Sequence, residues 1–120
     1  MKSWSDIASY YGRLVDAGLP LSHMFEVVSR IRDSRYARGV VAWTSMHDLC
    51  IAQTAQEPFD GPYLRVSPRP DGTLEFRYVD TYIEDRQWHR TVPGADGFSR
   101  FERFVDQLRW FGPARETGVA

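Results

Sequence analysis

The chain reads as an α+β domain. Its parts are an N-terminal αα-hairpin, an antiparallel β-meander of three to five strands, and a C-terminal amphipathic helix packed on one sheet face. Three observations predict this. Apolar residues recur at helical spacing before residue 34. Period-two alternation flanks the turn Pro70-Asp71-Gly72. One apolar stripe, Phe98, Phe101, Phe104, Val105, Leu108 and Phe111, closes the ordered part of the sequence.

The first helix is expected over 5–17. Trp4, Ile7, Ala8, Tyr11, Leu14 and Val15 share one face, Ser3 and Asp6 form a weak capping box, and Gly18 supplies a stop. Leu19-Pro20-Leu21 is a short connection. Leu21, Met24, Phe25, Val28 and Ile31 then make a second stripe, and a helix over 21–33. So short a link favours two helices sharing one core.

Residues 39–54 carry competing signals. Val40, Val41, Thr44, Ile51 and Thr54 favour strand. Trp43, Met46, His47 and Cys50 also fit helical spacing. The β-branched residues decide for two short strands, 40–45 and 49–54, turning near Met46-His47-Asp48. Two prolines and Gly61 make 56–62 a loop.

The hairpin at 63–79 is the clearest local signal. Leu64 and Val66 alternate with Arg65 and Ser67, and Leu74, Phe76 and Tyr78 alternate with Glu75 and Arg77. Residues 87–92 return as a further strand with Trp88 and Val92 on one face, and Pro93-Gly94 ends it. Asp96 is the expected cap of the last helix. Arg100, Glu102, Arg103, Asp106 and Arg109 form its polar side, and Gly112-Pro113 its stop. The unit is a single domain over 1–112, with a flexible tail over 113–120.

Bulk properties narrow the functional classes. A chain of 120 residues buries roughly two thirds of its unfolded surface and needs no metal or disulfide to hold a core. The formal net charge of -1 opposes binding to nucleic acid or membrane through overall charge. The lone Cys50 precludes an intrachain disulfide and suggests a reducing, cytoplasmic setting. No signal-peptide pattern opens the chain, and no apolar run approaches the roughly 20 residues of a membrane span. Fourteen arginines against one lysine suggest a GC-rich genome, bacterial or phage.

Four groups of residues bear on chemistry. Asp80, Glu84, Asp85 and His89 offer oxygen and imidazole ligands, but Arg86 and Arg90 among them oppose a cation, and no metal site or cofactor is expected. His47 and Cys50 would point apart on a strand, and a cysteine between Leu49 and Ile51 reads as a small buried hydrophobe, so no catalytic residue is assigned. Arg30, Arg32, Arg35 and Arg38 form a basic patch that suits a helix C-terminus or, in a minority reading, phosphate. Tyr78, Tyr82, Trp88 and Trp110 with Arg77, Arg86 and Arg90 are residue types that dominate interface hot spots.

These features favour a small protein-binding module, such as an inhibitor, immunity protein or accessory factor of a bacterium or mobile element. Its expected contact surface is Tyr82, Glu84, Asp85, Arg86, His89 and Arg90 at one sheet end. The alternatives are a small-molecule pocket or enzyme between sheet and helices using His89 or His47, and nucleic-acid contact through the basic patch. Exposed sheet edges also allow a homodimer. No phosphate loop, GxSxG elbow, HExxH or CxxC pattern is present.

Overall fold

A computed structural model describes residues 2–53, 62–80 and 88–111. Three helices, α1 (Trp4–Asp16), α2 (Ser22–Arg32) and α3 (Gly97–Gln107), pack on one face of a five-stranded antiparallel sheet. The strands are β1 (Val40–Ser45), β2 (Asp48–Gln53), β3 (Tyr63–Pro68), β4 (Thr73–Val79) and β5 (Trp88–Pro93). They lie side by side in chain order, a pure meander. The α+β architecture and the strand reading of residues 39–54 therefore stand, while Thr54 and the tail lie outside the described residues. None of the helices among the described residues is long and apolar enough to cross a membrane.

Local chemistry explains the helix boundaries. Ser3 caps α1 by accepting from the Asp6 amide at 3.0 Å. The helix ends in a paired 6→1 and 5→2 closure: Leu19 N–H to the Leu14 carbonyl at 3.0 Å and Gly18 N–H to Val15 at 2.9 Å. That closure needs a positive φ, and Gly18 supplies it at 93°. The start of α3 departs from expectation. Asp96 stands at the cap position but makes no side-chain cap bond. A 3-10 turn, Gly94–Asp96, leads into the helix, and the Ser99 hydroxyl donates to the Asp96 carbonyl at 3.0 Å.

The end of α3 is also a correction. The helix stops at Gln107, well before Gly112-Pro113. Arg109 takes φ 58°, and Trp110 N–H reaches the Val105 carbonyl at 3.1 Å, repeating the closure that ends α1. The chain then folds back. The Gln53 amide donates to the Trp110 carbonyl at 3.1 Å, and the Phe111 ring lies so close to Gly39 that a Cβ there would run into it. Phe111 belongs to the apolar stripe because it still faces the core after the helix has ended.

The core fills the layer between sheet and helices. Ile7, Tyr11, Met24, Val28 and Ile31 meet Leu49, Ile51, Leu64, Val66 and Phe76, with Phe101 of α3 closing the far side. Every strand alternates against this layer, so the residues between these positions face away from the helices.

Candidate functional site

The sheet face turned away from the helices is not covered by any helix among the described residues. The strand register aligns one row across all five strands on it: Trp43 opposite Cys50, Cys50 opposite Arg65, Arg65 opposite Arg77, and Arg77 opposite His89. Each pair faces the same side because directly opposed residues in an antiparallel ladder share a face. The row passes from an aromatic end over β1 to a cationic end over β4 and β5.

At the aromatic end, Trp43 and Tyr63 pack as a tilted pair, 5.3 Å between centroids and 53° between ring planes. Cys50 and Ala52 lie on this face and yet are only 1% and 0% exposed. Small residues in β2 beside a Trp–Tyr pair make a second, thin apolar layer. The thiol responds to that enclosure: burial pushes Cys50 up to about 11, opposed in part by Arg65 and Arg77. It stays protonated at neutral pH and is no nucleophile. His47 stands in the β1–β2 turn, away from the strand position of Cys50, so the two do not form a catalytic pair.

At the cationic end, Arg65 is fixed and Arg77 is open. The Arg65 guanidinium donates to Asp48 at 2.7 Å with both side chains mostly covered, and that bond raises the arginine further above its ordinary range. Arg77 is exposed between Arg65 and His89. His89 lies 3.9 Å from Glu75 and is itself largely exposed. Two arginines directly opposed would repel. Asp48 neutralises one and leaves the other facing solvent.

The predicted contact residues divide. Tyr82, Glu84, Asp85 and Arg86 lie outside the described residues. His89 and Arg90 are neighbours in sequence but sit on opposite faces of β5. Arg90 opposes Phe76 on the helix side, and its guanidinium lies over the Trp88 ring at 5.6 Å. Trp88 stacks with Tyr78 at 5.8 Å and meets Phe104 at 4.9 Å, so both aromatics serve the core margin. Asp80 is buried at the end of β4, and no group of three metal-binding side chains occurs among the described residues.

The basic patch is largely engaged within the chain. Arg30 lies over Phe98 at 4.5 Å, Arg35 over Tyr36 at 4.5 Å, and Arg32 pairs with Asp33 at 3.0 Å, which holds that carboxyl below its usual range. Arg38 is exposed. Of the other candidates, His47 lines a cavity of about 260 Å³ with Leu21, Pro68 and Arg69, where the helical connection meets the sheet end.

Trp43, Tyr63 and Arg65 are the members of this face that local reading missed. Their signal was present: Trp43 follows Ala42, and Tyr63 precedes Leu64, in strands whose alternation puts them opposite the core. No family model, curated protein or solved structure matches the chain.

Proposed function

We propose that the chain is a protein-binding module whose contact surface is the open sheet face, centred on Trp43, Tyr63, Arg65, Arg77 and His89. One observation carries this reading. A single cross-strand row joins an aromatic pair to an exposed guanidinium and an imidazole, on a face that no described helix covers. Trp, Tyr and Arg are the side chains that supply most interface free energy. Asp48 orients Arg65, so part of the surface is ordered before a partner arrives, which lowers the entropic cost of docking.

The test compares capture of proteins from a bacterial lysate by the chain and by Arg77→Glu, His89→Ala and Arg13→Glu variants, with folding checked by thermal melting. A specific band lost in the first two and kept in the third supports the surface. A band kept in all three overturns it. Binding of a single-stranded oligonucleotide with a steep salt dependence would replace the reading with the nucleic-acid one.

The cavity beside His47 favours a second reading, a small-molecule site. Its volume lies below the roughly 300–1,000 Å³ of sites for drug-sized ligands, so it suits one small apolar group with an anionic end beside Arg69. Titration with phenylacetate, followed by amide shifts at His47 and Arg69, tests it; unmoved signals at millimolar ligand reject it.

A further inference from the structure

The two edges of the sheet are unequal. The β1 edge is occupied by the chain's own N-terminal segment: Lys2 bridges to Ala42, and the Trp4 indole donates to the Val40 carbonyl at 3.2 Å. At the opposite edge, β5 pairs with β4 alone among the described residues. Three successive residues there, His89, Arg90 and Thr91, are exposed although they alternate between faces, as expected for a strand whose outer side is open.

The charges at that edge select an occupant. Arg77 lies on the open face beside the His89 imidazole and Arg90 on the helix face, so a guanidinium stands on each side of the sheet near this edge. Glu75 is the acidic side chain beside His89. Antiparallel pairing of two copies about the middle of β5 would set Arg90 near its own counterpart, which is unfavourable. A strand bearing two successive acidic residues has the complementary pattern. Successive side chains point to opposite faces. One carboxylate would therefore meet Arg90, and the next would lie on the face of His89 and Arg77. Arg77 stands two strand spacings from an added strand, about 10 Å, a gap that an arginine and a glutamate together bridge.

We infer that the β5 edge accepts an extended acidic segment of a partner protein as a sixth strand, with a pair of successive acidic residues beside His89 and Arg90. This rests on the protein-binding reading and specifies its mode. Main-chain bonds would supply affinity and the alternating carboxylates register, as in other strand additions.

The experiment titrates the full chain with three acetylated, amidated peptides and follows backbone amide shifts. The first is Val-Thr-Glu-Glu-Thr-Val. The second has Lys-Lys in place of Glu-Glu. The third is the acidic peptide N-methylated at the alternate amides that would pair with β5. The expected result is saturable shifts at Trp88, His89, Arg90 and Thr91 with the first peptide only. Arg90→Gln and Arg77→Gln should each weaken binding about tenfold or less, in line with one charged contact. Equal binding of the N-methylated peptide overturns strand addition, yet leaves a protein-binding sheet face intact. Equal binding of the lysine peptide overturns the acidic specificity. Absence of shifts at β5 with all three overturns the inference, and the capture experiment above still decides the broader reading. Sedimentation that shows self-association lost in Arg90→Glu would assign the edge to a second copy instead.

Discussion

Arg109 holds a backbone conformation, φ 58°, that glycine adopts freely and a branched-out side chain does not. It closes α3 as Gly18 closes α1, so the two helix ends compare directly. Arg109→Gly should relieve the strain, offset in part by the greater freedom of glycine in the unfolded chain. The expected gain is about 0.5–1 kcal/mol, read as a rise of a few degrees in melting temperature; a fall would show that the Arg109 side chain contributes more than its backbone costs. Cys50 makes a second residue-scale prediction. Its thiol ionises near 9.0 in the reference state but only at about 11 when folded. A raised folded value means the contribution is fully present below pH 9 and is lost as pH rises through 11. Unfolding free energy should therefore fall across that window by up to about 2–3 kcal/mol. Cys50→Ala should flatten this part of the alkaline slope in urea titrations at pH 8, 9, 10 and 11. An unchanged slope would mean that the thiol is not enclosed.

The β1–β2 hairpin shows how an element is held where its own sequence is unfavourable. Ser45 pairs with Asp48, leaving a two-residue loop of Met46 and His47. Met46 takes φ 56° without being glycine, and the residue is 88% exposed. Two adjacent tyrosines of α1 secure the loop: Tyr10 donates to the Met46 carbonyl and Tyr11 to the His47 carbonyl, both at 2.8 Å. Burial raises the Tyr11 hydroxyl far above its ordinary range, so it remains a donor at any ordinary pH. Tyr11→Phe should cost about 1–1.5 kcal/mol, because it leaves the His47 carbonyl without that donor. Met46→Gly should recover about half of it by removing the strained φ. Chemical denaturation of the single and double variants checks both, and a neutral Tyr11→Phe would show that water replaces the bond. Such ties connect residues 36 positions apart, which is why the turn could be located from the sequence while its anchors could not. The strands themselves were legible because Val40, Val41 and Ile51 outweighed the coincidental helical spacing of Trp43, Met46 and Cys50. The end of α3 was not, because Leu108 and Phe111 keep facing the core after the helix stops.

At the scale of the whole molecule, the meander with helices on one side could be read from alternation and short turns, since each is a local signal. The candidate surface could not. The row from Trp43 to His89 exists only through four successive strand registers, so residues up to 46 positions apart become part of one row without any spacing rule to announce them. The same holds for the inequality of the edges. A five-stranded meander has two open rims, and each is a template for another strand. Here the N-terminal segment shields one of them through Lys2 and Trp4. Lys2→Pro disturbs the backbone at the residue that bridges to Ala42 while leaving the Ser3 cap of α1 in place. Trp4→Phe removes the indole donor to Val40 and keeps an aromatic ring in the packing. The double variant should keep its helical content and its cooperative melt. Its β1 rim, carrying Val40 to Trp43, should now pair with other copies, so sedimentation should detect concentration-dependent association absent from the parent chain. Adding Val41→Lys, which places a charge beside that rim on the open face, should restore the parent's behaviour. A double variant that stays as dispersed as the parent would show that the N-terminal segment anchors α1 to the sheet and does not guard the edge.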